Sequence, residues 1–227
     1  MNKGRMRMAG QVAAFLRSLR ASRRQGGESG YLASIDPLSG LTSRHAFFQQ
    51  AVDIFSGLED TPTTISVLRV DIDRFKSVNE GCGHDAGDAV IRMVARAISN
   101  VVRDNAGEPD ALISRFGGDE FVILATGLGP TALSELADCL CDAVRASVMW
   151  QGDRRITVTI SIGLAIAGGG GDVESALHAA EGALHEAKRT GRDRWCVAIP
   201  EGAGLAALSP NRLIEPVRKA SFLPSAA

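Results

Sequence analysis

Two short apolar runs, Leu112–Arg115 and Phe121–Ala125, lie on either side of Phe116-Gly117-Gly118-Asp119-Glu120. Only a tight reversal fits between runs so close together, and paired glycines supply the positive φ that a reversal needs. The segment is a hairpin, so at least one antiparallel strand pair is built into the chain. Around it the apolar spacing is helical. Residues 42–58 place Phe47, Ala51, Ile54, Phe55 and Leu58 on one face, and residues 85–102 do the same with Val90, Val94, Ala97, Ile98 and Val101. Further helices are predicted over 131–149 and 172–190, the last stopped by Gly191. β-Branched runs predict strands over 64–72, 156–167 and 194–199. A hairpin combined with helical crossovers predicts an α+β fold, with helices packed against a central, largely antiparallel sheet.

Of the 227 residues, 45% are hydrophobic and 22% charged, enough apolar material for a core that needs no staples. Cys82, Cys139, Cys141 and Cys196 form no CxxC pair and have no histidine at zinc-ligand spacing, which argues against a zinc site and a disulfide scaffold. No apolar run approaches the roughly 20 residues that cross a bilayer. The net charge of −1 argues against nucleic-acid binding by bulk electrostatics. The charge is unevenly spread, however. Residues 1–24 carry +7 and no acid, and the remainder carries −8. In that leader Met8, Val12, Phe15, Leu16 and Leu19 form a helical stripe, suited to an anionic membrane surface, to a partner helix, or to no contact at all. The organisation expected is a basic leader and linker over 1–33, one domain over 34–199, and a Gly/Ala/Ser/Pro-rich, mostly disordered tail over 200–227.

Three stretches carry candidate chemistry. An apolar strand runs into Asp71 and Asp73, whose alternation puts two carboxylates on one face about 7 Å apart. Oxygen ligands at a strand end suit Mg²⁺, although solvated acids are the plainer account of this pair alone. The Gly117-Gly118-Asp119-Glu120 turn sets two acids at a hairpin tip, where they repel unless a cation or proton intervenes. Lys188 closes a helix and Arg192 follows its glycine stop. Cations are favoured at any helix C-terminus, but two here also make a pair of phosphate clamps.

Together these stretches resemble one family, the GGDEF domain of diguanylate cyclases. Five matches occur in order: Asp36-Pro37-Leu38-Ser39-Gly40-Leu41, Asp71-Ile72-Asp73-Arg74-Phe75-Lys76 with Asn79, Gly83-His84-Asp85-Ala86-Gly87-Asp88, Gly117 to Phe121, and Ala187-Lys188 with Gly191-Arg192. The resemblance implies a palm-type, nucleotidyl-cyclase-like fold. It implies condensation of two GTP into cyclic di-GMP and two pyrophosphates across a homodimer, with two Mg²⁺ per active site and Mn²⁺ as a substitute. By position, Asp71, Glu120 and Asp119 would bind metal through carboxylates and Ile72 through its carbonyl, with Asp119 near the attacking hydroxyl. Asn79 and Asp88 would bind the guanine edge. Phe75, Lys76, Lys188 and Arg192 would meet the phosphates, and Gly117 and Gly118 would leave room for the α-phosphate and ribose. The location implied is cytoplasmic, with the leader able to bring the chain to the inner membrane. The alternative is an inactive GGDEF receptor for nucleotide or cyclic di-GMP, or a protein scaffold. Ser39, Thr42-Ser43, Glu80, Cys82, His185 and Asp193 depart from the family pattern without removing any group named above. Glu108 and Ala111 stand where many cyclases carry an RxxD product-inhibition motif, so that control is expected to be absent.

Overall fold

The β-branched run over 64–72 becomes a central strand. The structure, a computed structural model, describes residues 34–58, 63–106, 111–167 and 171–198. The basic leader, the tail and Glu108 lie outside the described residues. Strand β2 (Ile65–Ile72) is buried along nearly its whole length, as a strand covered on both faces must be. It pairs antiparallel with β4 (Glu120–Thr126) and with β7 (Ile160–Ala167). β4 pairs antiparallel with β3 (Ala111–Gly117), which completes the predicted hairpin. The edge strands β1 (Thr42–Ser43) and β8 (Arg194–Ala198) run parallel to β3 and β7. The sheet order is β1-β3-β4-β2-β7-β8, largely antiparallel as expected.

Strand alternation sorts the core into two layers. Leu68, Val70 and Ile72 face a cluster with Val90, Val94 and Ile98 of α3 (His84–Ala106) and Leu136, Leu140 and Val144 of α4 (Pro130–Ala146). Ile65 and Val67 face Phe47, Ile54 and Phe55 of α1 (Arg44–Gly57) and Ala176, Leu177 and Ala180 of α5 (Val173–Arg189). Side-chain caps start two of these helices: Ser43 Oγ accepts from Ala46 N–H, and Asp172 accepts from Ser175 N–H. α5 lies so close to β7 that a Cβ on Gly163 would stand 2.0 Å from the Ala180 carbonyl oxygen and 2.2 Å from the Leu184 nitrogen. Only glycine admits that approach, and the approach sets α5 at its height above the sheet.

Three elements differ from the sequence expectation. Residues 75–82 form a helix, α2 (Phe75–Cys82), which the pattern did not announce. It is short, its N-cap Arg74 has φ 56° and no capping side chain, and Gly81 and Gly83 make its end read as loop. The helix predicted to reach 149 stops at Ala146, because Met149–Gln151 pairs with Arg154–Ile156 as a separate hairpin, β5–β6. The strand predicted over 156–167 is therefore split, since Ile156 is spent on that hairpin and β7 begins at Ile160.

Candidate active site

The C-terminal end of β2 and the N-terminal end of β4 meet in register, so that Asp71 and Glu120 are direct cross-strand partners. The Ile72 N–H donates to the Asp119 carbonyl at 3.2 Å, which ties the hairpin tip to the same strand end. Alternation turns Asp71 toward α5, and Lys188 in the last turn of α5 meets its carboxylate at 2.7 Å. Two residues earlier on the same face, Arg69 holds Glu120 at 3.0 Å and also pairs with Glu181 of α5. Its guanidinium lies 6.0 Å from the Phe116 ring centroid. Two cations thus face the acids of the paired strand ends, Lys188 on Asp71 and Arg69 on Glu120.

The glycine turn is held from behind. Gly117 and Gly118 have φ 141° and 53°, and the β3–β4 register shifts between Arg115 and Gly117. Arg115 donates twice to the Gly118 carbonyl, at 3.0 and 2.8 Å, and also to both oxygens of Asp36. Burial works against the Asp36 charge. The Ser39 hydroxyl and N–H, with the Arg115 guanidinium, outweigh it and hold the carboxyl below its ordinary value. Asp36, Arg115 and Arg69 carry no role that the sequence alone points to. The first two stand inside quoted stretches, whereas Arg69 interrupts an apolar strand and was the legible anomaly.

Asp73 does not share the metal-facing role that its pairing with Asp71 in the sequence suggests. Its carboxylate does not stand ready for a metal, because it accepts from Thr159 Oγ1 at 2.7 Å, Ser161 Oγ at 2.6 Å and Asp193 N–H at 3.0 Å. These bonds stitch β2 to β7 and to the turn before β8, so Asp73 is structural. The turn itself has positive φ at Gly191, Arg192 and Asp193, with the Arg192 N–H donating to the Ala187 carbonyl.

The nucleobase candidates lie on a different pair of elements. Asn79 of α2 is packed so tightly on Gly87 of α3 that a Cβ there would come within 2.0 Å of Asn79 Oδ1. Asp88, next along α3, is half-buried beside it. Lys76 is exposed and pairs with Glu80 at 3.5 Å. Phe75 is half-buried and packs against the α3 side of the core. Arg192 does not join the Asp71–Lys188 cluster but lines a separate cleft with Asp73 and Arg74.

Among the described residues, no three of His, Cys, Asp or Glu gather closely enough to cage a metal ion. The donors present nevertheless fit Mg²⁺ in kind. They are hard carboxylate oxygens on rigid strand ends, and this ion takes one or two carboxylates and completes its shell with water and phosphate. Burial pushes the Asp71 carboxyl up to about 6, Lys188 opposes the rise, and Asp119 and Glu120 add to it. An acid raised in the fold favours folding while protonated. That contribution is complete below the unfolded value of 3.8 and is lost as pH rises through about 6. In metal-free protein, denaturant titrations of wild type and Asp71→Asn at pH 5 and pH 7.5 are expected to show the wild type losing ground to the variant at the higher pH. A difference independent of pH would refute the burial of this charge.

Residues 33–194 match the family described as diguanylate cyclase, GGDEF domain. The chain belongs to the GGDEF domain family. It is 33% identical over 170 residues to Diguanylate cyclase A of Treponema denticola, covering 72% of this chain and 44% of that protein. It is 32% identical over 171 residues to the cyclic di-GMP phosphodiesterase PdeR of Escherichia coli, covering 75% of this chain and 25% of that protein. Among solved structures, the GGDEF domain of DgcB from Caulobacter crescentus in complex with c-di-GMP superposes with a TM-score of 0.68 at 30% identity, covering 73% of this chain and 95% of that one. The diguanylate cyclase SiaD of Pseudomonas aeruginosa, solved with its activator SiaC, gives 0.70 at 28% identity, over 85% and 73% of the two chains. The chain spans less than half the length of these curated relatives. All four cysteines are free, and among the described residues no helix is long and apolar enough to cross a membrane.

Proposed function

We propose that this chain is a diguanylate cyclase that condenses two GTP into cyclic di-GMP and releases two pyrophosphates. The observation that carries the reading is the register of Asp71 with Glu120. The fold sets the acids of the hairpin tip against the acid of the central strand, with Lys188 alongside. In each half-reaction the ribose 3′-hydroxyl of one GTP attacks the α-phosphorus of the other, and the bond to the leaving pyrophosphate breaks. Each subunit binds one GTP, so two copies must face each other.

Asp71 and Glu120 would hold Mg²⁺, together with Asp119 and the Ile72 carbonyl. The ion, when bound, supplies charge neutralisation on the phosphates and a lowered pKa for the attacking hydroxyl. The chain's own residues do the rest. Asp119 at the tip accepts the hydroxyl proton or orients the hydroxyl. Lys188 is shared between Asp71 and the β-phosphate. Arg192 and Lys76 meet the outer phosphates, the Phe75 backbone N–H adds a donor at the start of α2, and Gly117 and Gly118 leave space for the α-phosphate and ribose. Asn79 and Asp88 read guanine, because a carboxylate accepts from both N1–H and the 2-amino group, which adenine does not offer.

The direct test is incubation of purified protein with GTP and Mg²⁺. Formation of cyclic di-GMP supports the reading, and absence of product with retained guanine nucleotide binding would make the chain a receptor. Base reading has its own test. Asp88→Ala is expected to lower kcat/KM for GTP by on the order of 10²-fold while changing use of ATP little, because it removes a half-buried acceptor that only guanine satisfies. Equal losses for the two nucleotides would remove Asp88 from recognition.

A further inference from the structure

Behind α2, at the same end of the sheet as the catalytic acids, lies a cleft of about 630 Å³. Its walls are Ser77, Val78 and Cys82 of α2, residues 154–159, and the Gly191–Asp193 turn. The cleft stands apart from the proposed substrate site in two respects. Asp71 and Lys188 lie on the α1/α5 face of the sheet, whereas Ile156 and Val158 belong to the core layer of α3 and α4. Asn79 is turned to Gly87, while Ser77 and Val78 line the cleft from another side of the same helix. The two regions share Arg192 alone.

The charge of the cleft is one-sided. Five arginines line it, Arg74, Arg145, Arg154, Arg155 and Arg192, against two aspartates. Both aspartates are already committed. Asp193 receives two bonds from Arg145, at 3.0 and 2.9 Å, and Asp73 receives three from Thr159, Ser161 and the Asp193 N–H. Arg154 is fixed on the Gly81 carbonyl at 2.7 Å, which fastens the β5–β6 hairpin to α2 and holds the wall in place. Among the described residues, Arg74, Arg155 and Arg192 have no acidic partner. Three unpaired guanidinium groups around a concave surface concentrate positive potential, and the planar fork of arginine matches phosphate oxygens two at a time. The floor between them is apolar, formed by Val78, Ile156 and Val158, and the volume lies in the range of small-ligand pockets.

We infer that this cleft is a second anion site, which takes a polyphosphate, either inorganic or carried by a nucleotide. The inference is independent of the catalytic reading, and a polyphosphate binder with no cyclase activity would satisfy it.

Trp150 provides the probe. It is 63% exposed and is the cross-strand partner of Arg155, whereas Trp195 is buried. Inorganic tripolyphosphate, titrated against the full chain without divalent metal and followed by tryptophan fluorescence, is expected to bind saturably. Arg155→Glu is expected to weaken binding at least tenfold, and Lys188→Ala to leave it within twofold. The thermal midpoint of each variant checks the fold, with Arg155→Gln replacing a variant that fails it. ADP binding tighter than pyrophosphate assigns the ligand to a nucleotide seated on the apolar floor, and equal binding assigns it to the inorganic anion. Three results would overturn the inference: no change in Arg155→Glu or Arg155→Gln, loss of binding in Lys188→Ala, or displacement of tripolyphosphate by pentaglutamate at equal concentration.

Discussion

On the cyclase reading proposed above, Glu120→Gln or Asp119→Ala is expected to lower cyclic di-GMP synthesis by at least on the order of 10²-fold, the usual scale for removing one preorganised electrostatic group. Stability should change little. The Glu120 side chain is 42% exposed and its ion pair with Arg69 is solvent-screened, so its loss costs about 1 kcal/mol or less. Arg69 keeps Glu181 as a partner, so no buried charge is stranded. The discriminating measurement is product formation at saturating GTP beside a thermal melt. A folded Glu120→Gln protein turning over near the wild-type rate would show that the register of Asp71 and Glu120 has no catalytic meaning. Lys188→Ala separates the roles further, since it removes the cation that shares Asp71 and leaves both tip acids in place.

Gly163→Ala is the largest expected effect on stability. The added Cβ would meet the Ala180 carbonyl oxygen at 2.0 Å and the Leu184 nitrogen at 2.2 Å. Both are helix backbone, so relief requires α5 to lift from β7 rather than a side chain to turn. Overpacking of that kind costs about 3 kcal/mol. In a protein of this size the loss is roughly 6–12 °C in Tm. Activity should fall with it, because Lys188 rides on α5. Gly182 on the same helix is the control: its Cβ would meet nothing within 4 Å, so Gly182→Ala is expected to gain about 0.5–1 kcal/mol. Equal melting of the two variants would show that the close approach of α5 to β7 does not hold in solution.

The parts of this protein legible in the chain alone are those whose cause is local. Two apolar runs around paired glycines can only reverse, so the hairpin was readable. Residues 64–72 are rich in Ile and Val, with polar positions too few for a loop, so β2 was readable as a strand despite Arg69 within it. Helices α1, α3, α4 and α5 announced themselves by spacing, and the order of the short motifs identified the family. Helix α2 was not legible, because it has eight residues, no side-chain cap and glycines at its end. What holds it is distant in sequence: Gly87 beneath Asn79, Arg154 on Gly81, and Gln151 on Cys82.

The sequence by itself determined which residues carry charge, and that two acids follow one strand while two more tip a hairpin. Only the tertiary structure decided which of those four acids are available. Asp71 and Asp73 look equivalent in a DxD stretch, yet Thr159, Ser161 and the Asp193 amide take up the second. The first is left opposite Glu120 with a single cation. The same holds for Arg69, Lys188 and Arg192, which differ little as basic residues in a string. Strand register and the height of α5 over Gly163 give each a different partner. The physical reason is that a carboxylate's chemistry depends on the donors and charges within a few ångströms of it, and those neighbours come from segments 50 to 120 residues away.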